Sequence, residues 1–401
     1  MRKRKKVGCV IIMHPGQCNY GSSLQGFATI KKIADLGYDY EIIRYNKTRD
    51  LKSLARNLIG LLRSGGIKQY FYLQQKKKDL KNNPEFARTR AIRCKAVDAY
   101  KAAFLDSVSQ FYTGYKALQK GSKDYRVIMV GSDQVWGPLS LYSRFYNLYF
   151  VDDSVPKFSY ASSFGVSSIF PWQRKGVSGF LKRLDYIGVR EQRGKEIVKE
   201  LTGKDAKIVV DPTFLLTKEE WESEISKWSG KRERTEENKS IDEPYILTYI
   251  LGEREDIRAE IKQLKKDSNL KVVNLPHIDN YHAMDDGLGD IDLYDVDPFD
   301  FIRLIRDASY VVTDSFHGSV FSILMHKKFV TFYRKKEIEK GNTNSRIDSL
   351  FGLFGLGKRL FKGHLWDTLQ ADIDYKYVDD KLADMRKDSL EFLQKALNLG
   401  K

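Results

Sequence analysis

Cysteine is scarce in this 401-residue chain: Cys9, Cys18 and Cys94 are the only three, irregularly spaced and without a C-x-x-C pair. That is too few for a disulfide framework and leaves no zinc or redox motif, so unpaired thiols in a reducing compartment are expected. Cys18 reads either as a small loop residue or as a nucleophile. Long apolar runs are missing too. The longest, Val7 to Met13, has the length of a buried strand and not of a spanning helix. Behind the basic start Met1-Arg-Lys-Arg-Lys-Lys it mimics a signal peptide, but no small-residue cleavage site follows, and a cytoplasmic protein is expected. There is no internal repeat and no low-complexity tract.

What is present points to a folded enzyme-sized protein. Hydrophobic residues make up 42% and charged residues 30% of the chain, outside the range of disordered sequences. Four hundred residues exceed what one core usually organises, so two domains are expected. The formal net charge is +16, and most of it is local: Lys47 to Arg126 holds nineteen Lys and Arg against six Asp and Glu. Such a region attracts nucleic acid, anionic lipid or phosphorylated substrates, unless it is simply a solvated helical face.

The run Val7 to His14 is apolar on both faces and reads as a central parallel strand. A helical pattern over Ser22 to Leu36 and a strand over Tyr38 to Tyr45 complete a βαβ unit, the start of a doubly wound sheet. From Lys47 to Lys123 the pattern is helical and basic, broken at Gly65-Gly66 and Asn82-Asn83-Pro84, with no strand expected. The α/β rhythm resumes with strands at Tyr125–Val130, Lys157–Ala161, Tyr186–Val189 and Ala206–Val210. Lys227 to Glu243, dense in charge and Ser, reads as a linker. A second set of strands is expected at Tyr245–Leu251, Lys271–Leu275, Tyr310–Thr313 and Phe329–Phe332, and an amphipathic helix at Asp379–Leu397. The expected division is 1–226 with a basic insertion at about 47–124, then 244–375, with 376–401 packing back on the first part.

Ligands of open parallel sheets bind beyond the carboxyl ends of strands, which selects four loops. In Pro15-Gly-Gln-Cys-Asn-Tyr-Gly-Ser-Ser, Gly16 and Gly21 have Walker A separation, but Ser22 stands where the phosphate-binding Lys belongs. What survives is an anion-tolerant helix start flanked by Asn19 and Tyr20, or an ordinary turn capped by Ser. Val130-Gly-Ser-Asp-Gln-Val-Trp136 sets Asp133 and Gln134 beside an aromatic ring, as a sugar requires, unless Trp136 belongs to the core. Arg190 closes a buried strand and needs either an anionic ligand or a structural Asp partner. Tyr310-Val-Val-Thr-Asp-Ser-Phe-His-Gly-Ser319 delivers Ser315 and His317 to a strand end, with Gly318 and Ser319 starting a helix of free N–H donors. Ser315 lacks a G-x-S-x-G elbow, so a serine hydrolase is disfavoured. His277 and His282 lie in a loop with Asp279, Asp285 and Asp286. Their spacing fits no metal motif, and no metal is expected. Asn344 and Arg346 follow a strand of the second half and are placed to close over a ligand.

Taken in order, Asn19-Tyr-Gly-Ser-Ser-Leu-Gln25, Gly131-Ser-Asp-Gln-Val-Trp136, Ala161-Ser-Ser-Phe-Gly165, Val189-Arg-Glu191, Asp211-Pro-Thr-Phe-Leu-Leu216 and Thr313-Asp-Ser-Phe-His-Gly318 resemble the polysaccharide pyruvyl transferase family over roughly residues 7 to 355. The resemblance implies an α/β fold: two Rossmann-like domains in a glycosyltransferase-B-like arrangement, with an interdomain cleft. It also implies transfer of an enolpyruvyl-derived group from phosphoenolpyruvate to two hydroxyls of a sugar, giving a pyruvate ketal and phosphate. No metal or redox cofactor is then required. Acceptors in the family are commonly lipid-linked, so a polyprenyl-diphosphate-linked sugar and an anionic membrane surface under the basic insertion are the implied partners, with no nucleic acid.

By the same resemblance His317 is the proton-transfer residue. Arg190, with Asn19, Tyr20, Ser315, Gly318, Ser319, Asn344 and Arg346, would hold the donor, and Asp133, Gln134 and Trp136 the acceptor. Several members carry Arg where this chain has Ser315, so Arg346 either takes over that contact or the donor is held differently. The rival enzyme is a nucleotide-sugar glycosyltransferase on the same architecture. The rival without catalysis is a basic module binding nucleic acid or membranes.

Overall fold

The computed structural model describes residues 5–12, 18–46, 66–138, 144–229, 241–335 and 344–399. Among them, seven strands form a first sheet: β1 (Val7–Val10), β2 (Tyr40–Asn46), β3 (Ser109–Thr113), β4 (Val127–Val130), β5 (Lys157–Ser162), β6 (Tyr186–Val189) and β7 (Lys207–Ile208). All pair in parallel, in the order β3-β2-β1-β4-β5-β6-β7. A second parallel sheet holds β8 (Tyr245–Tyr249), β9 (Lys271–Asn274), β10 (Ile291–Asp292), β11 (Tyr310–Thr313) and β12 (Lys328–Thr331), in the order β10-β9-β8-β11-β12. Helices α1 (Tyr20–Asp35), α2 (Gly66–Asn82), α3 (Pro84–Phe104), α4 (Tyr115–Ser122), α5 (Pro171–Lys182), α6 (Gln192–Thr202) and α7 (Lys218–Ser229) lie between strands of the first sheet and before β8. Helices α8 (Glu255–Ser268), α9 (Pro298–Asp307), α10 (Phe316–Leu324), α11 (Ser345–Phe354) and α12 (Leu365–Gln370) belong to the second part, and α13 (Tyr375–Leu397) follows.

Parallel pairing explains why the strands read as continuous apolar runs: β1, β4, β5 and β8 are buried along their whole length. Each sheet reverses its winding once, between β1 and β4 in the first and between β8 and β11 in the second. These are the places where a doubly wound sheet opens a crevice at its carboxyl edge.

The two crevices are held together by an aromatic seam. Phe27 of α1 meets Phe299 of α9 edge-on at 5.3 Å, Tyr20 stacks on Phe301 at 4.7 Å, and Trp221 of α7 meets Phe321 of α10 at 5.2 Å. One contiguous core cluster includes residues of both sheets. Burying each such ring contributes roughly 1.5–3 kcal/mol, so the seam resists opening. Its geometry starts in sequence: Asp297 and Asp300 form a capping box with Pro298 in the first turn of α9, which fixes where Phe299 and Phe301 point. Helix α13 packs on the first sheet, where Phe392 faces Tyr160 and Tyr186 and Ser389 accepts the N–H of Val210.

Several expectations change. The stretch read as wholly helical contains β3, an edge strand pairing with β2. Its sequence Ser-Gln-Phe-Tyr-Thr is half-exposed and carries no apolar run to reveal it. The break at Asn82-Asn83-Pro84 does separate α2 from α3, with Pro84 in the first turn. Residues 47–65, with Gly65, and most of the expected linker lie outside the described residues, as does Gly16. The strand expected at Ala206–Val210 is only two residues long, and β10 was not anticipated.

The expectation of unpaired thiols is also corrected. Cys18 and Cys94 are disulfide-bonded, with Cα atoms 5.1 Å apart across 76 residues of sequence, tying the start of α1 to α3. Sequence spacing could not show this because the partners meet only through the fold. Cys9 is free and buried, and burial raises its thiol pKa well above the usual range. Alkylation of the unfolded, unreduced protein should label one thiol per chain, and reduction should lower stability by about 2–4 kcal/mol. Three labelled thiols would contradict the crosslink.

Candidate active site

The site forms where the two crevices face each other across the seam. The first sheet supplies Asp133 after β4, Arg190 after β6 and Asp211 after β7. The second supplies His317 in the first turn of α10, which β11 feeds. Arg190 is 5% exposed, and its Nη1 donates to Asp211 Oδ2 at 2.8 Å. Ser132 Oγ donates to the same oxygen at 2.9 Å, and the Thr213 hydroxyl and N–H hold Oδ1. His317 Nε2 stands 3.7 Å from Asp211 Oδ2, inside ion-pair range and beyond hydrogen-bond reach. Burial works against a charged Asp211, yet the adjacent imidazole and the Arg190 guanidinium hold its carboxyl well below the usual carboxylate range.

Asp133 completes the constellation from the other side. It has a left-handed backbone (φ 73°), which Asp tolerates better than most residues. Its carboxylate accepts from Ser22 Oγ at 3.0 Å and from the Gln134 N–H at 2.9 Å, with Arg190 3.8 Å away. Burial would raise its pKa, but Arg190, His317 and Arg346 together lower it. Glu191 binds Ser163 Oγ and the Phe164 N–H, and burial raises its pKa despite Arg190. Both guanidinium groups lie on one ring: Arg190 Cζ is 4.2 Å and Arg346 Cζ 6.0 Å from the centroid of Phe316. Burial, with repulsion from Arg190 and Arg334, pushes the Arg346 pKa down to about 10.

Among the described residues, Arg190 Nε and Nη2, Glu191 Oε2 and His317 Nε2 have no hydrogen-bond partner. Unmet donors and acceptors at this depth cost free energy, and a polar ligand would satisfy them. The cavity against Arg190, Asp211, Phe316 and Arg346 is about 20 Å³, so little more than a water fits on that side. Solvent reaches the cluster past Asp133, whose side chain is 17% exposed, and half-buried Gln134.

Of the residues selected from sequence, His317, Arg190, Arg346 and Asp133 come together. Asn19 is adjacent as the N-cap of α1, its side chain already accepting from the Ser22 N–H. Gln134 packs over Gly165, where a Cβ would come within 2.2 Å of its amide nitrogen. The others take structural positions. Trp136 is fully buried between Phe164 and Phe180, with its indole N–H on the Tyr146 carbonyl, so it cannot offer a face to a sugar. The Tyr20 ring is sealed between Phe301, Tyr249 and Arg93. Ser315 is the N-cap of α10, and its Oγ takes the Gly318 N–H. The Ser319 N–H goes to the Ser315 carbonyl and its hydroxyl to Thr331. The expected row of free donors at 318 and 319 is therefore already occupied. The Asn344 amide is used on the Lys335 carbonyl.

Residues not selected from sequence matter as much. Asp211 is the hub, and its place in Asp211-Pro-Thr was the available signal. Gly21 is required because a Cβ there would lie 2.0 Å from His317 Nδ1. The first turn of α1 is thus the wall against which the imidazole rests. Among the described residues, no group of three His, Cys, Asp or Glu side chains is placed to hold a metal ion.

Two doubly wound parallel sheets meeting at a charged cleft define a fold of the glycosyltransferase-B type. Crystal structures of similar fold include UDP-GlcNAc 2-epimerase from Neisseria meningitidis bound to UDP-GlcNAc, at 10% identity and a TM-score of 0.50 over 97% of this chain and 100% of that one. A glycosyltransferase from Rickettsia africae is 13% identical, with a TM-score of 0.47 over 98% and 99%. No curated protein matches the sequence. The family model for polysaccharide pyruvyl transferase matches residues 19–336, and the chain belongs to that family.

Asp211 and Asp133 both titrate lower in the folded chain than their ordinary 3.8. The stability they add is therefore fully present above that value and drains away as pH falls below it. Asp211→Asn, which leaves the Arg190 charge buried without its carboxylate, should cost about 3–5 kcal/mol at neutral pH and flatten the acid limb of the stability curve. Chemical denaturation across pH measures both.

Proposed function

We propose that this transferase moves the enolpyruvyl-derived group of phosphoenolpyruvate onto two hydroxyls of one sugar, forming a pyruvate ketal and releasing phosphate. The observation that carries the reading is the pair of guanidinium groups over Phe316 with His317 beside them. A small dianion with a carboxylate at one end and a phosphate at the other suits two guanidinium groups, and it would give Arg190 Nε and Nη2 the hydrogen bonds they lack, in competition with Glu191 and Asp133 at 3.9 and 3.8 Å. Arg346 then supplies the contact that relatives draw from an arginine at the position of Ser315.

In this reading His317 delivers a proton to the methylene carbon, which converts it to a methyl group and leaves carbon 2 oxocarbenium-like. One sugar hydroxyl adds there and loses its proton, the bond to the phosphate oxygen breaks, and the second hydroxyl closes the ring and loses the other proton. Asp211 steadies the imidazole through its charge, while Asp133 and Gln134 face the side from which the acceptor enters. The sequence of steps needs no metal or redox cofactor.

The acceptor is proposed to be lipid-linked, from a capsule, exopolysaccharide or similar repeat unit, and met at the inner face of the membrane. Helix α2 supports this, since Tyr70, Phe71, Tyr72 and Leu73 are exposed next to Lys77, Lys78 and Lys81. A basic residue that reaches an anionic surface contributes about 1 kcal/mol. No helix among the described residues is long and apolar enough to cross a membrane.

Phosphoenolpyruvate should raise the melting temperature and UDP should not, and incubation with phosphoenolpyruvate and lipid-linked or aryl glycosides should release phosphate. His317→Ala should lower turnover about 10²–10⁴-fold while the thermal protection remains. Protection by UDP in place of phosphoenolpyruvate would instead make the protein a nucleotide-sugar glycosyltransferase.

A further inference from the structure

A cavity lined by carboxylates, imidazoles and aromatic rings lies away from Arg190. It has a volume of about 420 Å³, between the joint of α2 and α3 and the loop that leads from β9 to β10. That size suits a mono- or disaccharide. Its walls come from two distant parts of the chain. Asn82, Asn83 and Phe86 form one, and His277, Tyr281, Asp285, Asp286, Asp292 and Tyr294 the other. The walls are tied together, since Arg93 of α3 donates to the carbonyls of Leu293 and Tyr294, and Lys76 of α2 pairs with Asp279 at 3.2 Å.

The chemistry of this lining is selective. Carboxylates dominate the charge, and they repel phosphates and other anions. Phe86 and Tyr281 meet edge-on at 5.9 Å and bring aromatic surface to the cavity, while the Tyr281 hydroxyl is held by Asp286 at 2.8 Å. Aromatic faces with carboxylate acceptors match the alternation of C–H faces and hydroxyls in a neutral sugar. A separate observation points to a ligand. His277 is 7% exposed, and its Nδ1 has no hydrogen-bond partner among the described residues. Burial also lowers its pKa, which favours the neutral ring that can both donate and accept.

The pocket is coupled electrostatically to the segment that carries His317. Asp314, which binds the N–H groups of Leu251 and Gly252, acts electrostatically on His277 and stands three residues before His317.

We infer that this cavity is a saccharide subsite, holding uncharged sugar rings of the acceptor through His277, Tyr281 and the Asp285-Asp286 carboxylates. The inference rests on the proposed reaction only for calling the sugar an acceptor. The helical insertion thereby acts as one wall of the acceptor site. It also places the glycan at the end of α2 opposite the exposed Tyr70 to Leu73 segment.

The test uses the full chain and saturation-transfer NMR with methyl galactoside, methyl glucoside, methyl N-acetylmannosaminide and UDP as probes. Because His277 is buried and its loss can impair folding, the variants are Tyr281→Ala and Asp286→Asn, at half-buried and exposed positions. At least one glycoside should bind, each variant should weaken it by about tenfold or more, and thermal protection by phosphoenolpyruvate should stay unchanged. Glycoside binding lost in the variants of a protein that phosphoenolpyruvate does not protect would keep the subsite and remove the donor reading. No glycoside binding, binding that ignores both variants, or UDP binding that they abolish would each overturn the inference.

Discussion

Arg190 keeps its charge where only 5% of its surface meets solvent, and the Asp211 carboxylate 2.8 Å away makes that tolerable. Isolated, a buried guanidinium would cost several kcal/mol. Hydrogen-bonded to a carboxylate through Nη1 only, it has Asp133 and Glu191 within ion-pair range of Nη2 and Nε at 3.8 and 3.9 Å. The rest of the site is arranged around this buried cation. Ser132 and Thr213 fix the carboxylate, Phe316 supports the flat face of the guanidinium, and Asp133 sets the electrostatic limit on the exposed side.

Such precision requires that the two sheets not drift relative to one another. The interface between them is aromatic and continuous, so relative movement would expose rings that strongly prefer burial. Gly21 sets the final spacing, because the backbone of α1 touches the imidazole where any side chain would displace it. The Cys18–Cys94 bond holds the same end of α1 to the helical insertion, which links the His317 imidazole, the seam and the insertion mechanically.

Much of this was legible in the sequence, and the failures have physical causes. Central strands such as β1 and β11 announced themselves because both faces are buried. The edge strand β3 did not, because half of it faces water. His317, Arg190, Asp133 and Arg346 were visible as polar side chains at strand ends and helix starts. Trp136 was misassigned because an aromatic beside polar residues looks the same whether it faces a cleft or a core, and only packing against Phe164 and Phe180 decides. Ser315, Gly318 and Ser319 looked like free donors because the sequence placed the helix start two residues late, so the capping role of Ser315 was hidden. The disulfide, the role of Gly21 and the 420 Å³ cavity depend on residues far apart in sequence, where no local pattern carries the information.

The central claim is that the sheets converge to clamp a doubly ionised three-carbon donor next to an imidazole that moves its proton. A crystal structure of the complex with phosphoenolpyruvate measures this directly. The account predicts one anionic end of the donor on Arg190, the other toward Arg346, and the methylene carbon about 3–3.5 Å from a ring nitrogen of His317. A donor bound with its carbon out of reach of that ring, or held by other residues altogether, would contradict it.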